Sequence, residues 1–126
     1  MTATILLVDD ETEFLDTWTR VLERQGFRCV TSNNAPQAIA LLSPERPELV
    51  ITDLSLPVGD GFEVVRQAQM HSPAIPVIIV TAYNTPENAV RARSAGVGYL
   101  AKPFSNRALT QAVRSALHRT FASPHF

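Results

Sequence analysis

Short apolar runs alternate along the chain with longer amphipathic segments. The runs are rich in β-branched residues and occupy positions 4–8, 27–31, 49–53, 76–81 and 97–101. Between them, apolar side chains recur at helical spacing, as Phe14, Trp18 and Leu22 do in the first such segment. This alternation predicts βα units around a parallel sheet. We therefore expect a doubly wound α/β fold with five strands and five helices.

Polar residues and proline set the expected helix boundaries. Asp10 and Glu13 form a D-x-x-E pattern that predicts a capping box at the start of the first helix. Asn33 or Asn34 is expected to cap the second helix. That helix should stop before Pro44, because the residue preceding a proline disfavours helical backbone angles.

Four of the apolar runs end in polar side chains. Asp9 and Asp10 follow the first run, Asp53 ends the third, Thr81 ends the fourth, and Lys102 follows the fifth. In doubly wound folds the carboxyl ends of parallel strands lie at one edge of the sheet, where ligands bind. We expect three carboxylates, a hydroxyl and an ammonium to meet there.

These side chains suit phosphoryl transfer assisted by a divalent cation. Crowded carboxylates repel one another until a cation arrives, and a few oxygen ligands are what Mg²⁺ prefers. A metal, a hydroxyl and an ammonium can together neutralise the oxygens of a transferring phosphoryl group. With no Ser–His or Cys–His pairing evident, a carboxylate is expected to be the nucleophile. Asp53 is the best candidate, because the adjacent Asp9 and Asp10 are better suited to holding metal.

Length and composition narrow the class of protein. The 126 residues suit one domain with its own core, and a net charge of −1 gives no electrostatic footprint for nucleic acid. No apolar run approaches the ~20 residues of a membrane span, so we expect a cytoplasmic protein without membrane contact. Cys29 is the single cysteine, and its apolar neighbours predict an inert, buried thiol.

Four segments of the chain resemble the receiver domain of bacterial two-component response regulators: LLVDDE, VITDLSLPVGDGFE, VIIVTAY and GYLAKPF. The likeness spans the chain in order and implies a receiver domain at 1–120 with a C-terminal tail at 121–126. It implies a flavodoxin-like (CheY-like) three-layer αβα sandwich with strand order 2-1-3-4-5. It also implies a phosphorylation-dependent signalling switch that catalyses its own phosphorylation and dephosphorylation but is not a classical enzyme.

The resemblance assigns roles in phosphate and metal binding. Asp53 matches the aspartate that accepts the phosphoryl group. Asp9 and Asp10 match the acidic pair that holds Mg²⁺, for which Mn²⁺ can substitute, and the backbone carbonyl of Ser55 would complete the protein ligands. Lys102 matches the lysine that pairs with the phosphoryl group.

The resemblance also implies a switch. Thr81 matches the switch hydroxyl, Ala82 the small residue that leaves room for the phosphate, and Tyr99 the aromatic residue that moves inward on activation. Pro103 matches a proline that is often preceded by a cis peptide bond. Phosphorylation would then alter the surface formed by the fourth helix, the fifth strand and the fifth helix. Tyr83 occupies a position that tunes phosphate lifetime, and its bulk predicts slow self-dephosphorylation.

The expected partners follow from this resemblance. A sensor histidine kinase or a histidine phosphotransfer protein would donate the phosphoryl group. A downstream protein, or an output domain outside this chain, would receive the signal, and a phosphorylation-dependent homodimer is a further option. No direct nucleic-acid binding is expected.

Three other functions compete with this interpretation. A phosphatase with an aspartyl nucleophile would want a second aspartate where Ser55 stands, and usually a cap domain. A flavin carrier of the same fold would need a glycine- and hydroxyl-rich loop where the acids 9–11 stand. A receiver-like module that no longer takes phosphate is the third.

Overall fold

The computed structural model describes residues 2–121, with side chains described through residue 118. Within that part of the chain, strands and helices alternate strictly, as the pattern of apolar runs predicts. In chain order the elements are β1 Thr4–Val8, α1 Thr12–Arg24, β2 Arg28–Ser32, α2 Ala35–Glu45, β3 Leu49–Asp53, α3 Gly61–Met70, β4 Val77–Thr81, α4 Pro86–Ala95, β5 Gly98–Ala101 and α5 Asn106–Phe121. Of the predicted tail, Phe121 is the last residue of α5, and residues 122–126 lie outside the described residues.

The five strands form one parallel sheet in the order β2-β1-β3-β4-β5, which confirms the expected order. Along the middle of the sheet, Val8 of β1 pairs with Thr52 of β3, and Asp53 pairs with Val80 of β4. At the next boundary Thr81 pairs with Ala101 of β5. This register brings the polar ends of four strands to the same edge of the sheet.

The core has two layers, one on each face of the sheet. β1, β3 and β4 are buried along their whole length. Alternate residues point to opposite faces, so Ile5 and Leu7 pack in the cluster that contains α1 and α5, whereas Leu6 and Val8 pack in the cluster that contains α2, α3 and Ala92 of α4. Helices therefore cover both faces, which confirms the three-layer αβα sandwich.

The cap predicted for the first helix is wrong, whereas one of the two caps predicted for the second helix is confirmed. Asp10 does not cap α1: the N-cap is Glu11, which makes no side-chain cap bond. The Asp10 carboxylate instead lies beside those of Asp9 and Asp53. At the second helix Asn34 is the cap, its side chain accepting from the Gln37 backbone N–H.

The predicted end of the second helix is wrong, because the helix continues through Pro44 to Glu45. Pro44 has no N–H to donate to the preceding turn, but it is the last but one residue of the helix, so one backbone hydrogen bond is lost and almost no helix follows to be kinked. The helix then ends at Arg46, whose φ of 47° is left-handed.

No helix within residues 2–121 combines the length and apolar character needed to cross a membrane.

Candidate functional site

The carboxyl edge of the sheet gathers the predicted carboxylates into one cluster. Asp9 follows β1, and Asp53 is the last residue of β3. Carboxylate oxygens of Asp9, Asp10 and Asp53 lie within 4.8 Å of one another. Asp9 and Asp53 are buried whereas Asp10 is exposed, so the cluster opens to solvent on the Asp10 side.

Lys102 brings its ammonium group into this cluster from the end of β5. Its Nζ donates to Asp9 Oδ2 at 2.7 Å and to Asp53 Oδ2 at 2.8 Å. Glu11 Oε1 is more distant, at 3.9 Å, on a side chain that is 60% exposed. The lysine side chain itself is only 6% exposed. The ammonium is therefore enclosed between two buried carboxylates.

Burial and charge act in opposite directions on the ion pair. Burial raises the pKa of Asp9 to about 6, against hydrogen bonds from Lys102 and from the Glu11 backbone N–H. Burial alone would lower the pKa of Lys102, but hydrogen bonds and charge attraction to Asp53 and Asp9 outweigh it and raise that pKa. Three acidic side chains of the cluster thus face one enclosed lysine. The excess negative charge and the all-oxygen donor set fit a divalent cation such as Mg²⁺.

The loop after β3 is held against Asp53 by backbone contacts. Asp53 Oδ1 accepts from the Ser55 backbone N–H at 3.1 Å, and Ser55 forms an isolated bridge with Asp60. Gly61, the first residue of α3, lies so close that a Cβ there would collide with the Asp53 carbonyl oxygen and lie 2.9 Å from Leu54 Cα. In the sequence Gly61 is one more glycine beside a loop, and sequence reasoning does not predict this supporting contact. Nothing in the local sequence signals it besides the glycine.

The loop after β4 is organised around the predicted switch threonine. Thr81 is fully buried, and its Oγ1 accepts from the Tyr83 backbone N–H at 2.9 Å. The Tyr83 carbonyl accepts from the Asn88 side chain, and Thr85 caps α4 as a proline at the next position suggests. Ala82 and Tyr83 are exposed, the latter at 62%.

Tyr99 lies outside the acidic cluster but touches the same loop. The side chain is half-buried, and its hydroxyl donates to Asn84 Oδ1 at 2.9 Å. Asn84, three residues after Thr81, thus bonds Tyr99 directly. Directly after β5, the Lys102–Pro103 peptide bond is cis.

An aromatic stack lines the other side of Lys102. The Phe14 and Trp18 rings are 5.5 Å apart, and the Trp18 and Phe104 rings are 5.6 Å apart, both pairs stacked. The sequence predicts Phe14 and Trp18 only as core residues of a helical stripe. Both rings also lie near the Lys102 ammonium, a contact that their spacing in the sequence does not predict.

A family model and similar curated proteins match this chain, and they agree on one family. Residues 5–114 match the family described as response regulator receiver domain. The chain is 43% identical over 102 residues to the alginate biosynthesis transcriptional regulatory protein AlgB of Pseudomonas aeruginosa, covering 80% of this chain and 23% of that protein. It is 33% identical to the phosphate regulon transcriptional regulatory protein PhoB of the same organism, over 93% of this chain and 52% of PhoB. The chain thus spans from about a quarter to about half of these relatives.

Solved structures agree. The fold superposes with a TM-score of 0.90 on a CheY-like response regulator receiver domain protein from Methanospirillum hungatei, at 30% identity over 96% of this chain and 98% of that one. The chemotaxis protein CheY4 of Vibrio cholerae gives a TM-score of 0.84 at 26% identity, over 93% of this chain and all of CheY4. Sequence, fold and the polar strand ends point the same way, and the chain belongs to the family of receiver domains of two-component response regulators.

Proposed function

We propose that Asp53 accepts a phosphoryl group from a sensor histidine kinase or a histidine phosphotransfer protein, with Mg²⁺ as the cofactor. The observation that carries this proposal is the placement of the Asp53 carboxylate, 2.8 Å from the Lys102 ammonium and inside a cluster of acids at the sheet edge. Membership of the receiver family disfavours the flavin carrier and the phosphatase as alternatives.

Asp9, Asp10 and Asp53 would hold the metal, together with the backbone carbonyl of Ser55. When bound, Mg²⁺, or Mn²⁺ in its place, supplies positive charge against the phosphoryl oxygens. The donor set fits this ion because it consists of oxygens and carries more negative charge than Lys102 balances.

The covalent step would take place at the Asp53 carboxylate, with the phosphoryl donor approaching from the side on which the cluster opens to solvent. An oxygen of the Asp53 carboxylate attacks the phosphorus of a phosphohistidine, a P–O bond forms and the P–N bond breaks. The electron pair of the broken bond stays on the imidazole nitrogen of the donor. Lys102, already bonded to Asp53, is placed to donate to an oxygen of the transferred group. Water attack on that phosphorus later returns the Asp53 carboxylate and releases inorganic phosphate.

The response begins at Thr81. Its oxygen accepts from the Tyr83 N–H, which leaves the hydroxyl hydrogen available to donate to a phosphoryl oxygen. Moving that hydroxyl would pull on the loop at 82–85 and on Asn84, the hydrogen-bond partner of Tyr99. The α4–β5–α5 surface would change as a result. A downstream protein or an output domain, or a second phosphorylated copy of the chain, would bind that surface.

Labelling with a small phosphodonor tests the proposal. Incubation with acetyl phosphate and Mg²⁺ should add one phosphate, measured by intact mass. Asp53→Asn should take none, whereas Asp16→Asn, an exposed acid on α1, should label as the native chain does. Equal labelling of Asp53→Asn would move the acceptor elsewhere. No labelling of the native chain, by acetyl phosphate or by a phosphorylated histidine donor, would identify a receiver that takes no phosphate.

A further inference from the structure

We propose that Phe14 is a positioning residue for Lys102, whose ring face keeps the lysine ammonium between Asp9 and Asp53. This proposal rests on the proposed function, because Lys102 acts there on the phosphoryl group. It adds an aromatic residue of α1 to a site otherwise built from strand ends.

The geometry brings the ammonium over the aromatic ring. Lys102 Nζ lies 4.4 Å from the centre of the Phe14 ring and 5.6 Å from the Trp18 ring. A cation within about 6 Å of a ring face is attracted to its π electrons, and the attraction strengthens where water is excluded. The lysine side chain is 6% exposed, so water is largely excluded here.

The Phe14 ring is the first member of a stack of three aromatic rings. It stacks on Trp18 with 25° between the ring planes, and Trp18 stacks on Phe104 with 26° between the planes. Phe104 follows Lys102 by two residues, so the stack ties α1 to the segment that carries the lysine. A shift of the ring away from the ammonium would therefore break its stacking on Trp18.

The nearby Glu11 is the reason that the Lys102 ammonium would need a ring to hold it beside Asp53. Its carboxylate lies 3.9 Å from the ammonium on the solvent side and competes with Asp53 for the same charge. An aliphatic side chain at Phe14 would leave the ammonium freer to shift toward Glu11 and water. Lys102 would then spend less time beside Asp53, and phosphoryl transfer would slow.

The test compares initial rates of labelling by acetyl phosphate at saturating Mg²⁺. Phe14→Leu should slow labelling about two- to thirtyfold, the range expected for one cation–π contact. Phe14→Tyr keeps the ring and should label within about twofold of the native rate. The matched control is Phe27→Leu, a half-buried phenylalanine packed against the same core cluster. It should lose thermal stability without slowing labelling.

A second arm separates positioning from damage to the fold. In the Phe14→Leu background, Glu11→Gln removes the competing carboxylate and should restore part of the lost rate. A native rate for Phe14→Leu, equal slowing by Phe27→Leu, slowing by Phe14→Tyr as large as by Phe14→Leu, or no rescue by Glu11→Gln would each overturn this proposal. A native chain that takes no label at all would overturn the proposed function and this inference with it.

Discussion

Burial decides how individual ionisable side chains of this receiver domain behave. Asp9 and Lys102 are enclosed and bonded to each other, and each has a perturbed pKa. Asp10, next to Asp9 in sequence, is exposed. Neighbouring carboxylates of the same cluster thus have different surroundings: one is paired with the lysine, and the other is open to solvent, from which the proposed metal ion would arrive.

Cys29 is half-buried, not buried as its apolar neighbours predict, and it tests the effect of partial burial away from the site. Burial, with a contribution from Glu23, raises the pKa of its thiol to about 11 from 9.0. Only the thiolate is alkylated, so labelling of the folded chain should rise with pH toward 11. At pH 8, iodoacetamide should modify the folded chain about a hundredfold more slowly than the chain in urea. Mass spectrometry measures both rates, and equal rates at pH 8 would contradict the prediction.

Tyr83 gives a prediction about the lifetime of the signal. It is exposed beside Thr81 and offers no acid or amide to position an attacking water. With Mg²⁺ present, we expect the phosphoryl group on the chain to have a half-life longer than seconds. Tyr83→Glu should shorten that half-life severalfold. Met70→Glu adds a carboxylate at another exposed apolar position and should leave the half-life unchanged. An unchanged half-life for Tyr83→Glu would rule out shielding by the tyrosine.

At the scale of elements, loops that pack tightly against strand ends place the chemistry. The β3–α3 loop returns to Asp53 through Ser55 and through Gly61, which donates to the Leu54 carbonyl and has no room for a Cβ beside the Asp53 carbonyl. Local propensity alone would favour Asp10 as a helix cap, yet its carboxylate joins the acidic cluster. A local rule thus gives way where the site uses the same residue.

Gly61→Ala tests the loop contact. The added Cβ would overlap the Asp53 carbonyl, so we expect a loss of about 1–3 kcal/mol in the free energy of unfolding and slower labelling by acetyl phosphate. Gly26→Ala is the control: its φ of 97° makes alanine unfavourable, but no atom lies within 4 Å of the new Cβ. It should lose stability in urea without slowing phosphorylation. Native labelling by Gly61→Ala would show that the contact does not position Asp53.

At the scale of the whole molecule, the folded chain concentrates negative charge that the unfolded chain disperses. Mg²⁺ should therefore bind the folded state preferentially and raise the melting temperature. At about ten times Kd the gain is about 1.4 kcal/mol, or a few degrees. Asp10→Asn should reduce the shift and Asp16→Asn should not, with ionic strength held constant. Equal shifts in the native chain and Asp10→Asn would show that the cluster does not hold the ion.

How much of this molecule the sequence predicts depends on the distance over which each feature acts. Apolar runs and their polar ends are local, and they predict the strands and the edge at which the side chains gather. The strand order came from family resemblance. The bonds of Lys102 to Asp9 and Asp53 join residues 93 and 49 positions apart, and the Phe14 and Gly61 contacts need packed coordinates. Such details depend on the exact approach of remote segments, which periodicity does not encode.

The strands of the sheet differ in how deeply they are buried. β1, β3 and β4 are buried throughout, whereas no residue of β5 is fully buried and α4 buries only Ala92. Regions with few buried apolar contacts open at a lower free energy than the middle of a domain. The side that carries Tyr99 can therefore fluctuate between conformations while the interior stays folded. Under the proposed function, a phosphoryl group on Asp53 would need little free energy to shift the conformation of this edge. Loss of the group would let the edge return to its first conformation while the protein stays folded.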